Sequence, residues 1–328
     1  MKYYTPLLLA LMLFSCVKTE RDYTYDNIDF KQEMRDFVVG ISRYAKQQSP
    51  GFIIIPQNGV EILTEDGTPY GDNSQSYMDA IDAQAQEELN YGYDADDVAT
   101  PSATKAYLKS FLDKAKGQQK TILITDYCSS PVHIADAFQQ NAQFGYISFV
   151  APQRELNTVP SIPVYNAHPN DVERMGEVHN FLYLINPDNF QSKSDFIQQL
   201  SATNYDLIIM DMFFVNQVSF TAGEIAQLKH KANGGERLVV SYMSIGEAED
   251  YRFYWQSSWN ADKPIWLDME NPDWAGNYKV RYWEKDWQKI IYGNHNSYIK
   301  KIIDAGFDGA YLDIIDAYSF FEERYGNN

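Results

Sequence analysis

Cysteine is almost missing from this chain. Only Cys16 and Cys128 occur among 328 residues, so no disulfide framework is implied. Histidine is scarce too. His133, His168, His179, His230 and His295 are scattered without ligand spacing, and none falls at a strand tip, which argues against a zinc site. Nor is a Ser-His-Asp triad supported, because Ser244 lies in Tyr242-Met-Ser-Ile-Gly-Glu247 and not in a nucleophile elbow. A metal-dependent deacetylase would want an aspartate close to two histidines, and the sequence offers no such cluster. No metal and no cofactor is therefore expected. No glycine-rich dinucleotide loop follows any strand-like run. Basic residues number 27 against 45 acidic ones, for a net charge of −18. Such a surface repels nucleic acid and anionic membranes and favours neutral or cationic ligands, with plain solubility as the other use of the charges.

What is present begins with Lys2, the apolar run Leu7 to Phe14, and Ser15-Cys16. The run is too short to span a bilayer. Leu13-Phe14-Ser15-Cys16 resembles a bacterial lipobox, in which cleavage before the cysteine leaves Cys16 to carry lipid; an ordinary secretory signal is the alternative. Residues 1–15 thus read as a lipoprotein signal peptide, residues 16–27 as a polar tether, and residues 28–328 as one folded domain. The expected product is an exported lipoprotein of the cell envelope, at the outer membrane or cell surface, meeting the membrane only through its lipid and otherwise monomeric.

Within the domain, Phe30, Met34, Phe37, Val38, Ile41, Tyr44 and Ala45 recur at spacings of three and four, which predicts a helix over 28–48 ended by Ser49-Pro50-Gly51. Eight short β-prone runs follow, at 52–55, 80–86, 121–126, 146–150, 181–185, 206–210, 237–245 and 309–314. Helical patterns at 103–116, 192–202 and 221–232 separate several of them, and 151–180 reads as a loop. Eight buried strands mostly alternating with helices predict a parallel α/β architecture, a single-domain (β/α)8 TIM barrel, with a doubly wound sheet as the alternative. The chain ends just after its last strand and begins with a helix, the pattern a circular permutation would leave.

In such a barrel the working groups stand at the C-terminal strand ends. The stretch Gly306 to Tyr318, GFDGAYLDIIDAY, places Asp313 and Asp316 there, where a buried parallel strand should be apolar. Asp316 could instead cap the next helix. Other strand ends offer Asn58, Glu87, Glu88, Asp126 with Tyr127, Asp211, and the segment carrying Glu247 and Glu249. Carboxylates paired across a cleft are the apparatus of glycoside hydrolysis, one protonating the leaving oxygen while the other attacks carbon or activates water. Aromatics from Tyr251 to Trp287, Trp255 among them, suit the apolar faces of sugar rings.

Three segments carry a family resemblance: Asp206-Leu-Ile-Ile-Met-Asp211, the stretch from Val240 to Arg252, and Gly306 to Tyr318. They are similar to strand motifs of the glycoside hydrolases related to family 114, the endo-α-1,4-polygalactosaminidases. Two further motifs that normally come after the third resemble Pro56-Gln-Asn-Gly59 and Gln86-Glu-Glu-Leu-Asn-Tyr-Gly-Tyr93, here at the N-terminus, so the resemblance spans nearly the whole mature chain in permuted order. It implies a hydrolase of an amino-sugar or related polysaccharide, with catalytic carboxylates at Asp313 and Glu87. Glu88 is the fallback for the second. It also implies that Asp211, Tyr242, Glu247, Glu249 and Arg252 line the sugar site, though Arg252 could merely pair with Glu249 and Asp211 could cap a loop. Leu312 departs from the pattern, since characterised members tend to carry proline before the aspartate. A non-catalytic cell-surface glycan-binding protein on the same scaffold is the competing expectation.

Overall fold

The computed structural model describes Tyr25 and residues 28–326. The expected signal peptide, Cys16 and, Tyr25 apart, the tether lie outside the described residues. Among the described residues no helix is long and apolar enough to cross a membrane.

The predicted leading helix is α1 (Phe30–Gln48), whose first turn is capped by Asp29 accepting the Gln32 amide at 2.9 Å. Its buried stripe is Phe30, Met34, Phe37, Val38, Ile41 and Ala45. Burying each such side chain is worth about 1.5–3 kcal/mol, so α1 belongs to the folded domain and not to the leader. The remaining helices are α2 (Gln75–Ala80), α3 (Ser102–Gly117), α4 (Pro131–Phe144), α5 (Lys193–Ser201), α6 (Ala222–Leu228), α7 (Lys285–Ile291), α8 (Tyr298–Asp304) and α9 (Ala317–Tyr325).

All eight expected strands form, each within a few residues of its predicted bounds. They are β1 (Ile53–Pro56), β2 (Ala83–Glu87), β3 (Thr121–Tyr127), β4 (Ile147–Ala151), β5 (Phe181–Tyr183) and β6 (Leu207–Asp211), then β9 (Leu238–Ser244) and β13 (Gly309–Asp313). Between them stand a hairpin of β7 (Phe213–Phe214) with β8 (Val218–Ser219), and a small antiparallel sheet of β10 (Glu247–Glu249), β11 (Leu267–Glu270) and β12 (Asn277–Val280). Neither was legible in the sequence, because these strands are too short and too polar to show a two-residue apolar period. Helix α4 was missed for a related reason: only Ala137 and Asn141 of it are fully buried.

The eight main strands are parallel and fall into two sheets, ordered β1-β13-β9-β6-β5 and β2-β3-β4. At one junction Gln57 bridges Ala85, the Asn58 amide donates to Ala85 O at 3.0 Å, and the Asp82 amide donates to Ile54 O at 2.9 Å. No backbone ladder joins β4 to β5 among the described residues. The larger sheet is strongly curled. Tyr183 on β5 lies with its ring centroid 5.0 Å from that of Tyr311 on β13, although three strand spacings would separate them by about 14 Å in a flat sheet. The architecture is mixed α/β with parallel sheets, consistent with a TIM-like fold.

Candidate active site

Side chains alternate between the faces of a strand, and residues paired in a parallel ladder point the same way. The registers therefore show who shares a face. Asp313 pairs with Ser244 and Tyr311 with Tyr242, while Tyr242 also pairs with Asp211. In the other direction Tyr311 pairs with Ile55, Gln57 bridges Ala85, and Glu87 pairs with Thr125, two residues before Tyr127. One face at the C-terminal strand ends thus carries Asp211, Tyr242, Asp313, Gln57, Glu87 and Tyr127. Asp313 and Glu87, from opposite ends of the polypeptide, stand on strands two apart, with β1 between them.

Asp313 closes β13. Its Oδ2 accepts the Tyr242 hydroxyl at 2.8 Å and its Oδ1 the Ile314 amide at 2.9 Å. Burial, and after it the negative charge of Glu87, pushes its pKa up to about 7. Ile314 sits at φ +61°, a left-handed conformation that a β-branched side chain resists, at a cost of about 1–3 kcal/mol. That turn is what brings the Ile314 amide back onto Asp313.

Glu87 closes β2. Asn58 Nδ2 donates to its Oε2 at 3.1 Å, and the Tyr127 hydroxyl donates to its Oε1. Asn58 is braced in turn, its Oδ1 accepting Gln86 Nε2 at 3.0 Å and the Glu87 amide at 3.1 Å. Asn58 and Gly59 are both left-handed, at φ +58°. A Cβ on Gly59 would stand 2.6 Å from the Ile315 side chain, so this turn is wedged against the segment that follows Asp313 and needs glycine. Among the described residues no lysine, arginine or histidine forms an ion pair with either Asp313 or Glu87.

The other expected site residues fare differently. Asp126 is not at the site: it lies one residue before Tyr127, faces the opposite side of β3, and is fully buried. There it accepts the Asn90 amide at 2.7 Å, Asn90 Nδ2 at 2.9 Å, the Tyr91 amide at 3.1 Å and Asn141 Nδ2 at 3.0 Å. Tyr127, its neighbour, is the residue that reaches Glu87; strand parity is the signal that separates the two. Glu88 turns away at φ +61° and pairs with Arg154 at 2.5 Å. Burial raises its pKa while Arg154 opposes the rise.

Asp211, Glu249 and Arg252 form a buried triad. Arg252 reaches Asp211 at 2.6 Å and Glu249 at 2.6 and 3.1 Å, and Asp211 also accepts the Phe213 amide at 2.9 Å. Both bland expectations are met here, and the triad still borders the site, since Glu249 and Arg252 act electrostatically on Tyr242. Glu247 is buried too, bound by Lys279 and by Asn271 Nδ2 at 2.8 Å. Glu247 and Glu249 are therefore buried walls of the site, each bound by a cation.

Asp316 occupies the N-cap position of α9, yet its side chain makes no capping bond. Solvent reaches it, while the surrounding protein pushes its pKa up to about 6 and the Lys279 charge pulls the other way. Trp255 is half-buried against Tyr278 and Trp259, with centroids 4.9 and 5.3 Å apart. Trp259, Trp266 and Trp287 are core residues, Trp266 meeting Trp259 edge-on and Trp287 at a tilt, while Tyr251, Phe253 and Trp274 are exposed, so part of the aromatic segment fills the interior and part faces solvent. The scattered histidines also need correction: His168 and His179 meet Asp206 in space, at the N-terminal end of β6.

Comparison with known proteins bears on the second half of the chain. Residues 184–327 match the profile of Glycoside-hydrolase family GH114. An uncharacterized protein of Methanocaldococcus jannaschii is 40% identical over 137 residues, 41% of this chain and 37% of that one. Uncharacterized proteins of Thermotoga maritima and Deinococcus radiodurans are 36% identical over 128 residues and 38% identical over 122, with 37% of each relative covered. The chain thus spans under two fifths of the length of these relatives. The profile match relates residues 184–327 to family 114 and supports a glycoside hydrolase.

Proposed function

We propose that this chain is a glycoside hydrolase cleaving an amino-sugar or related polysaccharide, with Asp313 and Glu87 as its catalytic carboxylates on a closed, circularly permuted (β/α)8 barrel. The observation that carries the reading is the pairing itself. Two acids from opposite ends of the chain end strands β13 and β2 on one face, about 10 Å apart at the backbone by strand spacing. Each is hydrogen-bonded by neutral donors and, among the described residues, neither forms an ion pair, while Asp313 feels the charge of Glu87. Burial and the neighbouring negative charge let Asp313 keep its proton up to near neutrality. That is the state the reaction needs, since one group delivers a proton to the glycosidic oxygen while the other attacks carbon or activates water.

Barrel closure is supported by the Gln57–Ala85 bridge and by the curl that brings Tyr183 to Tyr311. Permutation is supported by where the profile match begins. Residues before 184 lie outside it, as they would if the Asn58 and Glu87 motifs had moved from the end of the family order to the front. Tyr242 and the exposed Asp316 are read as sugar contacts, with Asp211, held by Arg252, as the wall beside them. The lipid anchor at Cys16 completes the proposal, and puts the enzyme in the cell envelope.

The test is release of reducing ends from a panel headed by partly deacetylated galactosamine polymers. Wild-type protein should release them and Asp313→Asn should not. A glycan-binding protein would instead bind oligosaccharide equally well with either side chain and turn nothing over.

A further inference from the structure

At the opposite end of the strands from the carboxylate pair, three donor atoms converge. His168 Nε2 lies 2.9 Å from Asp206 Oδ2 and 2.9 Å from His179 Nδ1, and His179 Nδ1 lies 3.7 Å from the same carboxylate oxygen. A tetrahedral zinc ion with bonds of about 2.0–2.1 Å sets its ligands about 3.3 Å apart, the middle of this spread. The trio lies about 16 Å from the strand ends that carry Asp211, judged by the rise along β6.

The arrangement is held in place from outside. Asp206 is buried, with Oδ1 taken by the buried Lys231 ammonium at 3.0 Å, which leaves Oδ2 facing the two rings. Lys231 also donates to His168 O at 3.0 Å and Asn170 O at 2.6 Å, and Asn233 Nδ2 donates to His168 O at 3.0 Å. The His179 amide donates to Asp206 Oδ2 at 2.9 Å, and the Asp206 amide to Asn180 Oδ1 at 2.8 Å. His179 is exposed and His168 half-buried, so an ion can enter from solvent.

We propose that His168 Nε2, His179 Nδ1 and Asp206 Oδ2 form a binding site for a divalent transition ion of the zinc class, completed by water, which pins the 152–180 segment to the start of β6. Two imidazoles and one carboxylate suit zinc or cobalt far better than magnesium or calcium, which favour all-oxygen shells. Binding requires the His168 proton to sit on Nδ1, so the long 3.3 Å contact from the Asn170 amide is released on loading. Lys231 remains on the outer oxygen and orients the carboxylate.

The experiment is titration of the untagged full chain, stripped with chelator, by Zn²⁺ in a calorimeter and by Co²⁺ in visible absorption. The site predicts one equivalent of either ion, no competition from Mg²⁺ or Ca²⁺, and a four-coordinate cobalt spectrum. His179→Ala, an exposed position, should fold normally and weaken binding at least about tenfold. His168→Ala should do the same. Absence of binding to wild-type protein overturns the proposal, as does an unchanged affinity in the His168→Ala, His179→Ala double variant. Because every readout is metal binding, the outcome is independent of the hydrolase reading.

Discussion

Two groups of acids lie side by side at the C-terminal strand ends, and they are treated in opposite ways. Asp211 and Glu249 share the Arg252 guanidinium at 2.6 Å each. Asp313 and Glu87 have hydroxyl and amide donors and, among the described residues, no ion-paired cation. A buried carboxylate left without a partner is expensive, and a fold selected only for stability would neutralise or exclude it. The compensated group therefore reads as architecture and the uncompensated one as chemistry, with Tyr242 touching Asp313 on one side and sensing Arg252 on the other.

The comparison can be broken most decisively at the uncompensated pair. Asp313→Asn and Glu87→Gln should each lower the release of reducing ends at least about a thousandfold, with folding intact. Only one of the two should be rescued by an activated aryl glycoside, because a good leaving group replaces the acid and not its partner; rescue of both or neither would deny the division of labour. The compensated group should respond in stability instead. Arg252→Met leaves Asp211 and Glu249 buried without their cation, and should cost about 3–5 kcal/mol in a denaturant melt.

A smaller effect sharpens the contrast. Asp313 has a folded pKa of about 7, raised from the ordinary carboxylate range, so the protonated form is the favoured one in the native state. Its contribution to stability is complete below about pH 4 and is lost as pH rises through about 7. Asp313→Asn should therefore match the wild type near pH 4 and exceed it by on the order of 4 kcal/mol at pH 8. A stability gap that does not change with pH would place Asp313 with the architectural acids.

Much of this was legible in the residues. Seven of the eight parallel strands announced themselves as short apolar runs, β2 with its alternating Ala and Gln being the exception, and α1 by its three-and-four spacing, because burial on both faces or on one stripe leaves a mark in the sequence. Asp313 stood out because it interrupts an apolar strand at its tip, whereas Glu87 ends the polar run Ala83-Gln-Ala-Gln-Glu87 and was singled out only by the family resemblance. Asp126 misled because a strand end names two residues and only the register tells which faces the site; Tyr127 was the right one. The Arg252–Glu249 pair was legible as an alternative, while the bond of Lys279 to Glu247 was not, because Lys279 comes from a small antiparallel sheet with no sequence period. The meeting of His168 and His179 with Asp206 was invisible for the same reason: a 27-residue separation between His179 and Asp206 is closed only by tertiary packing.

The most direct test of the claim that Asp313 keeps its proton up to near neutrality is carboxyl NMR titration of protein carrying ¹³C-labelled aspartate and glutamate, in wild type and in Glu87→Gln. The Asp313 resonance should titrate near pH 7 in the wild type and shift toward the ordinary carboxylate range once the Glu87 charge is gone. An Asp313 resonance that titrates in the ordinary range, and ignores the change at Glu87, would contradict the account.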